Sequence, residues 1–270
     1  MMNELPERLE ITATLDPKPR YEGTSHDDKT ARAMGFRAAL LPGVFVYGHA
    51  MRPGVIGWGE AWLARGRADI RFRRPVYSND PLLVQRGPLV RNSTGTDADV
   101  TVTNTATGEV VLQGSFGLAD APQEPPHIPH TSKLSPPVAI NTGKVPVGLQ
   151  LGSGETVLSA DLVSESLADF HETESIYADR ALVHSGCLIR QTMGDALSNV
   201  TLPMPVIFAG LTVQHFAPAP VGATYKTSAR ITRSWVARGK HYFETDEWLY
   251  ANGRPVARHI RQNLFAMDDA

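Results

Sequence analysis

The chain has 270 residues, with 26 Lys and Arg against 28 Asp and Glu and a formal charge of −2, enough for one large domain or two of about 135 residues each. With no run of like charges, it lacks the electrostatic footprint of a protein that binds nucleic acid or an anionic membrane. The single cysteine, Cys187, excludes an internal disulfide and a cysteine-based metal cluster, and fits a reducing compartment.

From the N-terminus, MMNELPERLEITATLD alternates charged and apolar residues without the continuous apolar core of a signal peptide. No segment approaches the roughly 18 uninterrupted apolar residues of a membrane span, so a soluble, cytoplasmic protein is expected. The first recognisable element is TSHDDKTARAMGFRAALLPG, Thr24 to Gly43. Ser25 followed three places later by Asp28 has capping-box spacing, which makes His26 and Asp27 the solvated start of a helix. The same residues set an imidazole beside two carboxylates, Asp27 and Asp28, an arrangement suited to acid–base chemistry. Both readings stand.

PGVFVYGHAMRPGVIGWGEAWL predicts a helix interrupted by five glycines and by Pro53, which should end or kink it near Arg52. Gly43 and Gly48 permit close approach of a backbone or a ligand. Phe45, Tyr47, Trp58 and Trp62 are core residues by default and acyl-pocket residues otherwise, and His49 reads as a hydrogen-bonded packing residue. In ADIRFRRPVYSND, Arg71 and Arg73 share one face of a strand, where they either meet a phosphate or stand in solvent. ADVTVTNTATGEVVLQGSF then reads as two strands about a turn at Thr107 and Gly108.

Six prolines in DAPQEPPHIPHTSKLSPP, Asp120 to Pro137, predict an extended linker. Beyond it, ADFHETE places Asp169 and His171 in an acidic loop, either solvated or catalytic. Leu182, Gly186, Ile189, Met193 and Ala196 recur at helical spacing, with Arg190 and Asn199 on the polar side. His184, just before Ser185 and Gly186, is either an ordinary helix-start histidine or a group that positions a carbonyl or acts as a base; Cys187 beside it reads as structural. TYKTSARITRSW and KHYFETDEWLYANGRPVARHIRQNLF are β-branched and aromatic, with an Asn252–Gly253 turn. Landmarks repeat in the same order: Gly43 and Gly186 are 143 positions apart, as are Pro75 and Pro218, and Gly108 and Gly253 are 145 apart. The expected fold is α+β, two tandem modules (1–119 and 147–270, joined by a linker over 120–146), each one helical segment followed by strands, with the antiparallel sheet wrapped around the central helix.

With the His/Asp loop, the segments LLPGVFVYGHAM, VHSGCLIRQTM, ADIRFRRPVYSNDPLLV and LTVQHFAPAPVGATYKT resemble the double-hotdog, MaoC-like hydratase/dehydratase family from about Glu22 to Phe265. The resemblance implies a lyase that adds water to, or removes it from, a 2-enoyl/3-hydroxyacyl thioester, with an Asp and a His holding one water. Coenzyme A would come as part of the substrate, with no separate cofactor. An enolate oxygen would rest on helix N-terminal amides near Gly43, Val44 or Gly186. Catalytic candidates are therefore His26, Asp27, Asp28, His184, Asp169 and His171; substrate-binding candidates are Gly43, Val44, Tyr47, Gly186, Arg71 and Arg73; no metal-ligand pattern stands out. The family motif Asp-x-Asn-Pro-x-His is met only at His26, with Tyr21, Gly23 and Thr24 in the other places, and before His171 the corresponding places hold Ser166 and Ala168. A hotdog thioesterase, a lyase or isomerase acting on a substrate without coenzyme A, and a non-catalytic acyl-binding protein are the alternatives. The expected partner is a small acyl thioester, not nucleic acid or a membrane, and the duplicated chain stands alone or forms a homodimer.

Overall fold

In the computed structural model, which describes residues 4–125 and 128–268, each half runs from one or more short strands through three helices to five further strands. The first contains β1 (Arg8–Thr12), α1 (Asp28–Ala33), α2 (Gly43–Trp58), α3 (Glu60–Arg65), β2 (Gly66–Phe72), β3 (Pro81–Arg86), β4 (Val90–Asn92), β5 (Gly95–Asn104) and β6 (Val110–Ala119). The second contains β7 (Val138–Ala139), β8 (Gln150–Gly152), β9 (Thr156–Val157), α4 (Ala160–Asp169), α5 (Ile176–Asp179), α6 (Ser185–Leu197), β10 (Val200–Thr201), β11 (Ile207–His215), β12 (Thr224–Ala237), β13 (Lys240–Ala251) and β14 (Arg254–Met267).

The main sheet runs β1-β3-β5-β6-β2-β11-β14-β13-β12-β8, with β4 on β5 and β9 on β12. The halves therefore meet at β2 and β11, which pair antiparallel with Ile70 opposite Leu211. Along β2 the pleat sends Gly66, Ala68 and Ile70 inward, where they are buried, as alternation requires of a sheet with one covered face. Each half wraps one long helix, α2 or α6. One hydrophobic cluster includes Val44, Met51 and Val55 of α2, Leu188 and Ile189 of α6, and residues of both half-sheets, so the modules share a core.

Three sequence expectations need correction. Pro53 does not end the first helix: α2 runs unbroken to Trp58 and stops at Gly59, whose φ is +53°. The missing N–H costs one helical bond, but Met51, Gly54 and Val55 on either side of the proline are buried, and that packing carries the helix through. The strands β1 and β8 precede the helices rather than follow them; both are short and pair with a single neighbour, giving too little alternation to read. The proline-rich segment is not a free spacer along its whole length. Ile140 is buried, Leu134 donates its N–H to Asn199 Oδ1 at 2.8 Å, and β7 pairs with β10.

Candidate functional site

The turn before α1 settles what the His/Asp loop does locally. Asp27, not Ser25, is the N-cap: Asp27 Oδ2 accepts from Thr30 N–H at 3.0 Å and from the Thr30 hydroxyl at 2.8 Å. Those bonds hold its carboxyl below the usual range. Asp28 accepts from Arg32 Nε at 2.8 Å and from Ala39 N–H at 3.0 Å, which likewise lower its carboxyl. Both carboxylates are thus engaged in holding the loop, and neither lines the cavity that His26 lines.

His26 points the other way. Its Nδ1 donates to the Leu40 carbonyl at 2.9 Å, and Leu40 N–H returns a bond to Ser25 O at 2.9 Å. Burial pushes the imidazole below its ordinary value, against the smaller opposing effect of the Leu40 bond. The ring is therefore neutral at pH 7, with its proton on Nδ1 and a lone pair on Nε2. The Tyr21 ring meets it edge-on at 5.5 Å between centroids.

His26 lines a cavity of about 720 Å³ between the modules. The N-terminus of α2 forms part of its wall through Gly43 and Val44, and the wall continues with Arg190, Met193 and Leu197 of α6. Pro42, at the N-cap, contributes no side-chain bond, and among the described residues no acceptor meets the Gly43 or Val44 N–H. A sixteen-residue helix thus presents uncapped amides, with the positive end of its dipole, to the cavity that holds a neutral imidazole. Such a site can take a proton from water while stabilising negative charge on a nearby oxygen.

The equivalent place in the second module is filled. His184 caps α6, its Nδ1 accepting from Gly186 N–H at 3.0 Å, and its Nε2 lies 3.6 Å from Glu172 Oε2. Burial would raise the Glu172 carboxyl, but the contact with His184, two turn amides and Arg52 outweighs it, and the group sits below its usual range. The Phe170 ring stacks on His184 at 4.2 Å and lies over Gly186, where a Cβ would fall 2.6 Å from the ring. Both His184 and Glu172 are only 2 % exposed. That ring covers His184 and the N-terminal end of α6 at Gly186.

The other sequence candidates fall apart from one another. Asp169 is neutralised where it stands, accepting from Lys18, Arg20 and Arg190 with its side chain 5 % exposed. His171 is exposed, with φ +49°, and its Nε2 meets the Thr14 hydroxyl. Tyr47 is wholly buried in the shared core and does not line the cavity. Arg71 turns to Asp69 at 2.7 Å instead, whereas Arg73 stands at the cavity. Sequence reasoning missed Arg20 and Tyr21 as cavity residues, and Phe170 and Glu172 as the filling of the twin site. Only Tyr21 had a legible signal, since it stands five places before His26 where the resemblance expects a carboxylate.

No protein-family profile matches the chain, and no curated protein matches it. Solved structures do. A MaoC-domain protein from Chloroflexus aurantiacus, described as a dehydratase, aligns with TM-score 0.68 at 13% identity over 97% of this chain and 94% of that one. A conserved hypothetical protein of Mycobacterium tuberculosis with a double hotdog fold aligns with TM-score 0.63 at 16% identity, covering 96% of each chain. A protein from Thermobifida fusca described as a thioesterase II aligns with TM-score 0.52 at 16% identity over 97% of this chain and 93% of that one. The chain has the double hotdog fold. Among the described residues no helix is long and apolar enough to cross a membrane.

Proposed function

We propose that the cavity at the N-terminus of α2 is the active site of an acyl-thioester hydratase or dehydratase, with His26 as its base. One observation carries the reading: a neutral imidazole, fixed through Nδ1 to Leu40, lines the same cavity as the uncapped amides of Gly43 and Val44. A thioester carbonyl resting on those amides would shift electron density to its oxygen as water adds at the β-carbon. His26 Nε2 would take the water proton and return it to the α-carbon; elimination of water reverses the steps. Coenzyme A, in this proposal, enters only as the carrier of the acyl group, with Arg73 at the cavity for its phosphates.

Tyr21 occupies the place of the family's carboxylate, and no Asp or Glu is among the described residues lining the cavity. A single base therefore has to serve both proton transfers. That same feature favours a second reading, a thioesterase in which His26 directs water at the carbonyl and the thiolate leaves. Crotonyl-CoA separates the readings. Loss of enoyl absorbance that falls at least about a hundredfold in His26→Ala supports the hydratase. Release of free thiol with the same dependence assigns hydrolysis, and activity that survives the substitution sinks both. Binding without turnover of any thioester would leave an acyl-binding protein.

A further inference from the structure

Resting on the reading of this cavity as an acyl-thioester site, we infer that its acyl group ends in a carboxylate, making the substrate the monothioester of a dicarboxylic acid. The chain as a whole is slightly acidic at −2. The cavity inverts that balance, since five cations line it and no Asp or Glu does among the described residues. They fall into two groups. Arg73, Arg74 and Lys240 are exposed, as suits the phosphates of a nucleotide carrier. Arg20 and Arg190 form the inner group, set apart by the Asp169 they share: Arg190 is half-buried, its side chain 24 % exposed, while Arg20 is exposed at 36 %.

The inner group carries uncompensated charge. Arg20 and Arg190 converge on Asp169, and with Lys18 they share only Asp169 and Glu165, so three cations face two carboxylates. The cluster adjoins the base: Arg20 precedes Tyr21, whose ring meets His26. On the same cavity wall are Phe45, Met193 and Leu197. An alkyl chain lodged there would strip water from a net positive charge and return nothing, whereas a carboxylate would restore charge-assisted hydrogen bonds.

The chemistry balances without a further reagent. For the coenzyme A monothioester of trans-butenedioic acid, fumaryl-CoA, the water oxygen bonds to the β-carbon, which bears the carboxylate. The C=C π bond breaks, and the water proton reaches the α-carbon through His26, giving a 3-carboxy-3-hydroxypropanoyl thioester.

The test compares kcat/KM for fumaryl-CoA and crotonyl-CoA, which differ by carboxylate against methyl, and the affinities of the unreactive pair succinyl-CoA and butyryl-CoA. The dicarboxylic member should be favoured by at least about tenfold in each pair. Arg190→Met and Arg20→Met should each erode that ratio, with Arg190→Lys restoring part of it. A folding defect lowers both members of a pair and leaves the ratio alone. A wild-type ratio at or below one, or a ratio indifferent to both Met substitutions, overturns the inference while the hydratase reading stands on crotonyl-CoA turnover. If nothing is turned over but succinyl-CoA outbinds butyryl-CoA, the inference holds and the catalytic reading falls. If neither is bound, both fall.

Discussion

Replacing His215 with Leu should remove one proton's worth of acid sensitivity from the fold. The ring is 1 % exposed, and neither of its nitrogens has a hydrogen-bond partner among the described residues; its edge meets Trp62 at 6.0 Å between centroids. Burial, aided by the nearby His184, lowers its pKa to about 4. The unfolded chain, with an ordinary histidine pKa near 6.5, therefore binds the proton first as pH falls. Stability is complete above pH 6.5 and is lost as pH drops toward 4, by about 3 kcal/mol for this group. His49, also held near 4 mainly by burial, adds a similar loss. Together they approach the whole stability of an ordinary domain, about 5–15 kcal/mol. Urea denaturation of wild type and His215→Leu at pH 7, 6 and 5 measures the difference. The variant should be shallower in pH by about 1.4 kcal/mol per unit over this window, and about 2 kcal/mol better placed at pH 5 than its pH 7 comparison implies. Parallel pH curves for the two proteins would refute the claim that His215 is buried neutral.

Because burial lowers His26 and its neutral form is the proposed base, the acid limb of the pH–rate profile should fall below pH 6.5; a limb above 6.5 would contradict the assignment. Phe170→Ala should lower stability by about 3–5 kcal/mol, read from the denaturant midpoint, since the ring is 3 % exposed and packs on Phe45 and His184; a loss under about 1 kcal/mol would show that the twin site is not filled. Arg261 and Glu247 form a wholly buried ion pair, with Nη2 2.6 Å from Oε1. Arg261→Met alone should cost about 3–5 kcal/mol, and adding Glu247→Leu should recover most of it; equal losses in the single and double variants would argue against an uncompensated charge.

The sequence by itself determined the duplication, because the repeated landmarks depend on local turn chemistry: glycine and proline act where they stand, and the Asn252–Gly253 turn forms between β13 and β14 as expected. It also determined the helix of the second module, since apolar spacing along one segment chooses the face to be buried, whereas the length of α2 beyond Pro53 was decided by packing. Local sequence placed His26 at the entrance to a helix but could not separate its role from those of Asp27 and Asp28. Their difference lies in partners eleven and fourteen residues away, Ala39 for Asp28 and Leu40 for His26. Only the tertiary structure decided which module keeps an open cavity. That outcome depends on Phe170 falling over Gly186 in one half, while α2 in the other half keeps Gly43 and Val44 at the cavity wall. The inner cations were equally hidden, for Arg20 and Arg190 stand 170 positions apart in the chain and meet only where the two modules fold around one core. Periodicity and turn chemistry act between near neighbours, whereas the cavity is built from contacts between halves, which no local pattern encodes.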